Sequence, residues 1–160
     1  MSKTIKKSID INAPKEKVWD VLMNDKYERI WYAEIREGAH AETDWQVGSK
    51  ALFTDDGKAG VVGKVISNRP HEFIAVEYQG IIVNGVEDYD SSDAKNVKGG
   101  LEKYELKEKK GVTHLSIACD IAETYYKSMS EAWDKALQKI KKLSESNQSL
   151  IERGEREDAF

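Results

Sequence analysis

Residues 123–143, ETYYKSMSEAWDKALQKIKKL, decide how the rest of this chain must fold. Their apolar residues recur every three or four positions, which is typical of an α-helix with one apolar side. These residues are Tyr126, Met129, Trp133, Ala136, Leu137, Ile140 and Leu143. We therefore predict a long helix from about residue 123 to beyond residue 143, whose apolar side must be covered by another layer of the protein.

Strands with one apolar face can supply that layer. In several segments apolar and polar residues alternate, as they do in a strand that buries one side. The alternating apolar residues are Ile5, Ile9 and Ile11, then Ile74, Val76 and Tyr78, and finally Leu115, Ile117, Cys119 and Ile121. Turn sequences such as Asp55-Asp56-Gly57 and Lys109-Lys110-Gly111 separate further strands, which predicts an antiparallel meander.

The segments between these strands complete the order of elements. Asn12 is predicted to cap a short helix over residues 14–23, and a second short helix is predicted over residues 25–32. Residues 34–45 have no clear periodicity and predict a loop or an irregular edge strand. Residues 80–100 predict one long connection.

The predicted fold class is α+β. A curved antiparallel sheet of about six strands wraps around a long C-terminal helix, and two short helices follow the first strand. We predict one domain over residues 1–152 and a charged, frayed tail over residues 153–160.

Composition limits the class of protein. The chain has 160 residues, of which 39% are hydrophobic and 34% charged, with a net charge of −4. This composition is typical of a soluble globular domain and excludes a disordered chain. Dispersed basic residues argue against a nucleic-acid partner, and no apolar stretch approaches the ~20 residues that span a bilayer. With no secretory signal and a single cysteine, we expect a cytoplasmic protein.

Histidine and cysteine do not form a recognisable catalytic or metal site. The three histidines, His40, His71 and His114, lie far apart in sequence and lack the spacing of metal ligands. His114 and Cys119 are an odd number of positions apart on one predicted strand, so we expect them on opposite faces. We interpret Cys119 as a small buried hydrophobic residue, and we predict no catalytic residue, no metal and no cofactor.

Two further segments superficially match binding loops. The acidic run at residues 88–93 lacks the glycine and the glutamate that a calcium loop requires. Gly60 and Gly63 lie in a pattern that departs from a phosphate-binding loop, because Val65 stands where serine or threonine is needed. We interpret these glycines as a turn and a strand bulge.

Several motifs resemble the helix-grip superfamily of START-like and SRPBCC domains, and in particular proteins similar to the activator of the ninety-kilodalton heat-shock chaperone ATPase. The motifs are Ile9-x-Ile11-x-Ala13-Pro14-x-x-x-Val18-Trp19, Asp44-Trp45-x-x-Gly48, Gly60-x-x-Gly63-x-Val65 with Arg69-Pro70, Asn84-Gly85-Val86-Glu87, Thr113-x-Leu115 and the helix containing Trp133. The resemblance covers nearly the whole chain and implies a cavity between the sheet and the long helix. Members range from lipid and hormone carriers to cyclases and stress-response chaperone cofactors.

Inward-facing apolar side chains either line that cavity or fill the core. The candidate ligand-binding residues are Trp31, Tyr32, Phe53, Val76, Tyr78, Ile117, Met129, Trp133 and Leu137. A dry cavity of ~300 Å³ would cost about 7 kcal/mol, which is comparable with the ~5–15 kcal/mol net stability of a domain. We therefore expect a cavity that is filled by a ligand, filled by water or collapsed.

Three functions follow from these expectations. The leading hypothesis is non-enzymatic binding of a small hydrophobic or amphipathic molecule between the sheet and the C-terminal helix. The first alternative is a chaperone cofactor that binds its partner protein through the acidic residues 80–100 or an apolar helix edge. The second is an enzyme of the cyclase or hydratase kind, with a buried tyrosine or glutamate as acid or base.

Overall fold

The computed structural model describes the backbone of residues 2–56 and 58–158, and side chains within this range up to residue 145. Its strands are β1 (Ser2–Ile11), β2 (Ala39–Glu42), β3 (Lys50–Asp55), β4 (Ala59–Arg69), β5 (Phe73–Val83), β6 (Val86–Asp88), β7 (Leu101–Lys109) and β8 (Val112–Ala122). Its helices are α1 (Lys15–Met23), α2 (Asp25–Tyr32), α3 (Ser92–Val97) and α4 (Tyr126–Asp158), and a 3-10 turn at Glu123–Tyr125 leads into α4. The predicted boundary between a domain and a frayed tail stays a prediction, because the side chains of residues 153–158 and all of residues 159–160 lie outside the described part.

The described strands form one antiparallel sheet that curls around α4. Its order is β1-β8-β7-β5-β4-β3-β2, and β6 pairs with β5 outside that path. The predicted α+β fold with a long helix held by a curved sheet is confirmed. The predicted number of six strands is too low, because β2 and β6 have only four and three residues and are too short to show alternation.

Residues 80–100 are not the single long connection that the sequence predicts. Strand β5 continues to Val83, and Asn84 and Gly85 then turn the chain with φ angles of 52° and 79°. Such a two-residue Asn-Gly turn supports a hairpin, which here returns as β6 before α3. The hairpin is tight at Gly80, where a Cβ would lie 2.5 Å from the Asp88 carbonyl oxygen.

The start of α1 also differs from the prediction. The residue that precedes the helix is Pro14, whose backbone is extended and whose side chain cannot cap it, so Asn12 lies too far upstream. The Lys15 N–H instead donates to Glu108 Oε1 at 2.8 Å, and the Asn12 N–H donates to Glu145 Oε2 at 2.7 Å. Carboxylates from distant elements therefore accept hydrogen bonds from backbone N–H groups at the start of α1 and just before it.

Helix α4 packs its predicted apolar side against the sheet and α2. Among its described side chains, the fully or almost fully buried apolar residues are Trp133, Ala136, Leu137 and Ile140. The Trp133 ring lies 5.9 Å from the ring of Trp31 and 6.0 Å from that of Tyr104, so α4 is attached through an aromatic cluster. Among the described residues, no helix combines the length and hydropathy that crossing a bilayer would need.

Glycines of β4 lie close to β3 and β5. The pairing of β4 with β5 shifts between Val62 and Gly63, because Val62 pairs with Gly80 and Gly63 pairs with Tyr78. A register shift therefore lies where the sequence predicts a bulge, but the extra residue is Gln79 of β5 and not a glycine of β4. A Cβ at Gly63 would lie 2.5 Å from Val76 Cγ1, and a Cβ at Gly60 would overlap the carbonyl oxygen of Phe53. A side chain at Gly60 would therefore collide with the backbone of β3, and one at Gly63 would require the Val76 side chain to move.

Candidate functional site

A cavity of about 680 Å³ lies between the sheet and the beginning of α4. Met129 and Trp133 line it from α4, Tyr32 lines it from the end of α2, and Tyr78 lines it from β5. Its volume is within the ~300–1,000 Å³ range of small-molecule sites. A second hollow of about 520 Å³ lies elsewhere on the sheet, among exposed or half-buried side chains such as Lys6.

The cavity has a polar floor formed by Glu102. This residue occupies an inward position of β7, where burial alternates, and its side chain is only 2% exposed. Tyr78 Oη donates to Glu102 Oε1 at 2.6 Å, and Tyr104 Oη donates to Oε2. Both carboxyl oxygens are therefore held by tyrosine hydroxyls from two neighbouring strands.

Two glycines place Tyr78 over this carboxyl. The Tyr78 N–H donates to the Gly100 carbonyl at 2.8 Å, and the Gly99 N–H donates to the Tyr78 carbonyl at 2.9 Å. A Cβ at Gly100 would lie 3.1 Å from the Tyr78 ring, so a larger residue would press on the ring. The segment that joins α3 to β7 thus fixes the hydroxyl that binds Glu102.

Burial controls the protonation of this floor. Removal from water raises the pKa of Glu102, and the hydrogen bonds from Tyr104, Tyr78 and Cys119 lower it without cancelling that effect. Burial, with the nearby Glu102 as the second cause, also raises the pKa of Tyr78 and Tyr104 well above 10. The tyrosines are therefore neutral hydrogen-bond donors at physiological pH.

Cys119 is part of the same floor. It is paired with Glu102 across β7 and β8, and its Sγ lies 3.4 Å from Tyr78 Oη and 3.9 Å from Glu102 Oε1. Burial raises the pKa of the thiol to about 12, so it is not ionised at neutral pH and is a poor nucleophile. His114 is exposed on the opposite face of β8, as the sequence predicts.

The structure places the predicted ligand-binding residues in two groups. Four line the cavity: Tyr32, Tyr78, Met129 and Trp133. The other five do not line this cavity and belong to the hydrophobic core, which also includes Tyr32 and Trp133: Trp31, Phe53, Val76, Ile117 and Leu137. The two groups are in contact, because the ring of Phe53 in the core stacks on the ring of Tyr32 at the cavity, with centroids 6.0 Å apart.

Sequence reasoning missed Glu102, the most buried charged group at the cavity. A signal for it exists in the alternation of β7, because Glu102 shares an inward position with Tyr104 and Leu106. A carboxyl at such a position must either be solvated in a cavity or bound by donors.

A second buried carboxyl lies nearby but does not line the cavity. Glu28 on α2 is 2% exposed, and its Oε1 accepts a hydrogen bond from the Ala41 N–H at 2.8 Å. Its Oε2 has no hydrogen-bond partner among the described residues. Burial raises the pKa of Glu28 to about 7, although the Ala41 N–H and His40 act in the opposite direction.

Comparison with known proteins gives one family and several similar structures. The family model described as "Activator of Hsp90 ATPase homolog 1-like protein" matches residues 12–145. The search of curated proteins found no match.

Three solved structures illustrate the fold similarity. The Aha1 dimer from Colwellia psychrerythraea is 18% identical with a TM-score of 0.65, and the alignment covers 89% of this chain and 96% of that one. Protein MLL2253 from Mesorhizobium loti is 15% identical with a TM-score of 0.67, and the alignment covers 88% and 96%. CalU16 from Micromonospora echinospora is 15% identical with a TM-score of 0.62, and the alignment covers 89% and 74%.

Proposed function

The chain belongs to the family of activator of Hsp90 ATPase homolog 1-like proteins, and within that family we propose that it binds a small hydrophobic or amphipathic molecule without transforming it. The family match confirms the resemblance that the sequence motifs indicate. The observation that carries the proposal is the cavity of about 680 Å³ beneath α4.

The cavity favours an occupant. It opens to solvent at its mouth, among exposed residues such as Lys98, so it is not a dry void. The space must therefore hold water or a ligand. A ligand with an apolar body would cover Met129 and Trp133, which makes its binding favourable in proportion to the apolar area removed from water.

The cavity also favours a molecule with one polar end. Its walls include aromatic and thioether side chains, whereas its floor presents Glu102 and the hydroxyl of Tyr78. An entirely apolar molecule reaching the floor would displace water from these groups without replacing its hydrogen bonds. An amphipathic molecule satisfies both surfaces.

Native mass spectrometry tests the proposal. Freshly purified protein is compared with the same sample after denaturation in organic solvent, and we expect a mass difference that equals the released molecule. Met129→Trp, which adds a ring inside the cavity, should reduce the fraction of protein molecules that carry this extra mass, whereas Lys127→Trp adds the same ring at an exposed position of α4 and should not. Equal masses in the wild type, together with no fluorescence increase of added Nile red, would count against a ligand-binding cavity.

A protein-interaction function is the second candidate. Besides the family description, exposed apolar side chains at the β5–β6 hairpin favour it: Val83 and Val86 are 48% and 66% exposed. Val83 and Val86 face each other in the pairing of the two strands, so they form one surface. If the hairpin binds a chaperone, Val86→Ser should weaken recovery of that chaperone at moderate salt, and Met129→Trp should not. Recovery of no chaperone by the wild type would exclude this candidate.

An acid–base function is supported by one contact, the 2.6 Å hydrogen bond between Tyr78 and Glu102 at the cavity. A proton can pass between such groups and a bound molecule. The mass of the released molecule decides between binding and catalysis. A bound molecule that is recovered unchanged after incubation with the protein supports binding alone, and a reproducible change in its formula supports catalysis.

A further inference from the structure

The buried carboxyl on the cavity floor has hydrogen-bond donors but no positive charge beside it. Among the side chains that the structure describes, no lysine, arginine or histidine nitrogen forms an ion pair with Glu102. Its described partners are Tyr78, Tyr104 and Cys119, all of them neutral groups. A buried carboxylate is normally paired with a cation. No described side chain of this protein supplies that cation at Glu102.

Aromatic rings surround the same position. Tyr78, Tyr32 and Trp133 line the cavity together with Glu102. Tyr104, at the next inward-facing position of β7, donates a hydrogen bond to the carboxyl group. An ammonium ion bound at Glu102 would therefore lie near several aromatic rings, and aromatic rings attract cations. The apolar part of such a molecule would then extend along Met129.

Resting on the proposed ligand-binding function, we propose that the ligand is a cationic amphiphile, a molecule with a protonated amine at one end and a hydrocarbon or aromatic body. The ammonium group binds Glu102 and the Tyr78 hydroxyl. A carboxylate can accept about four hydrogen bonds, and two tyrosine hydroxyls and one weak thiol donor leave room for an N–H donor. The cation offsets the cost of keeping a carboxylate away from water, which neither a neutral nor an anionic ligand does.

The mouth of the cavity allows a cation to enter. Arg36 lies at the mouth, but its guanidinium is held 2.8 Å from the Asp55 carboxylate. Lys98 and Asp120 also line the cavity. Both signs of charge are therefore present at the entrance, and the protein as a whole has a net charge of −4.

Calorimetric titration with three probes of equal chain length tests the charge of the ligand. The probes are decylamine, 1-decanol and sodium decanoate, which are cationic, neutral and anionic near neutral pH. We expect wild-type protein to bind decylamine at least about tenfold more tightly than decanol, since a charge-assisted hydrogen bond adds about 1.4 kcal/mol or more. Decanoate should bind most weakly.

Two variants identify the residue responsible. Glu102→Gln keeps the shape of the side chain and removes its charge, so decylamine and decanol should bind with affinities within about threefold of each other, a difference below ~1 kcal/mol. Glu105→Gln, on the same strand but half-buried on its other face, should keep the wild-type preference. Retention of the amine preference in Glu102→Gln would overturn the proposal.

A measurement on the wild type alone covers the case in which Glu102→Gln does not fold. The amine remains protonated at both about pH 5 and about pH 8, whereas the ionised fraction of Glu102 can only grow as the pH rises, so the amine-to-alcohol affinity ratio should increase with pH and must not fall. The other titratable groups that face Glu102 are Tyr78, Tyr104, Cys119 and Tyr32, which stay neutral over this range, and Glu28 of α2. Glu28→Gln should retain the increase.

The outcomes separate the two proposals. Binding of decylamine and decanol with equal affinity, or an amine-to-alcohol affinity ratio that falls as the pH rises, would overturn the cationic ligand and leave the ligand-binding function in place. Binding of none of the probes, with no fluorescence increase of Nile red, would overturn both.

Discussion

At the scale of single residues, Glu28 makes the stability of the fold depend on pH. It is 2% exposed, and burial is the main reason why its pKa rises from 4.5 to about 7. The folded protein therefore holds this proton more tightly than the unfolded chain does. The resulting stability is complete below about pH 4.5 and is lost as the pH rises through about 7, where a buried carboxylate must be ionised.

We expect Glu28→Gln to remove that loss, because the amide oxygen can still accept from the Ala41 N–H and the side chain never ionises. At ~1.4 kcal/mol per pKa unit, the unfolding free energy of the variant relative to wild type should increase by about 3 kcal/mol from pH 4.5 to pH 8. Urea unfolding at the two pH values measures the difference. Glu37→Gln, at an exposed position of the next segment, is the matched control and should change far less. Parallel pH profiles for Glu28→Gln and wild type would show that this carboxyl does not titrate as its burial implies.

The residue scale is also where sequence reasoning succeeds least. Tyr78 and Trp133 are placed at the cavity by simple periodicity, because each lies on the apolar side of its own element. Whether an inward side chain fills the core or borders empty space depends on curvature, and that is why Trp31 and Phe53 pack in the core instead. The sequence does not reveal Glu102 as a buried residue, because a charged residue is normally assigned to the solvent-exposed face. The tyrosines that bind it come from two strands, so their proximity appears only in the folded structure.

At the scale of elements, the attachment of α4 to the sheet depends on Trp133. Its side chain is 1% exposed and contacts the rings of Trp31 and Tyr104. We expect Trp133→Ala to lower the unfolding free energy by about 3–5 kcal/mol, as other buried aromatic truncations do. Tyr125→Ala, at a side chain that is 60% exposed immediately before α4, should change it by less than about 1 kcal/mol. Chemical denaturation of both variants measures the effect, and equal stabilities would mean that α4 is held by other contacts.

Elements with a strong local pattern are predicted well, and those that depend on distant partners are not. The stripe of α4 and the alternation of β8 are properties of consecutive residues, and both are confirmed. Strand β2 is defined by its pairing with β3, and β6 by its pairing with β5. Their sequences are too short to show the alternation that would predict a strand. The same holds for the start of α1, whose first N–H donates to Glu108 of β7, 93 positions further along the chain.

At the scale of the whole molecule, the end of the domain can be tested by truncation. Two residues near the end of the described side chains of α4 contact the rest of the domain. Ile140 is fully buried, and Glu145 accepts a hydrogen bond from the Asn12 N–H. A chain that ends after residue 152 keeps both, and we expect its unfolding free energy to lie within about 0.5 kcal/mol of the full chain. A chain that ends after residue 138 loses both and should be strongly destabilised. Loss of stability on removing residues 153–160 would move the domain boundary beyond residue 152.

The pairing of β1 with β8 has a consequence for the synthesis of the chain. The paired residues, from Ile11 with Thr113 to Ser2 with Ala122, are separated by about 100 to 120 positions. At ~5–20 residues per second, β1 leaves the ribosome roughly 5–25 s before its partner strand exists. During that time its backbone groups can pair with other nascent chains, and the charges of Lys3, Lys6 and Lys7 discourage such pairing. The earliest strand of this domain to be synthesised is thus among the last to be protected from aggregation.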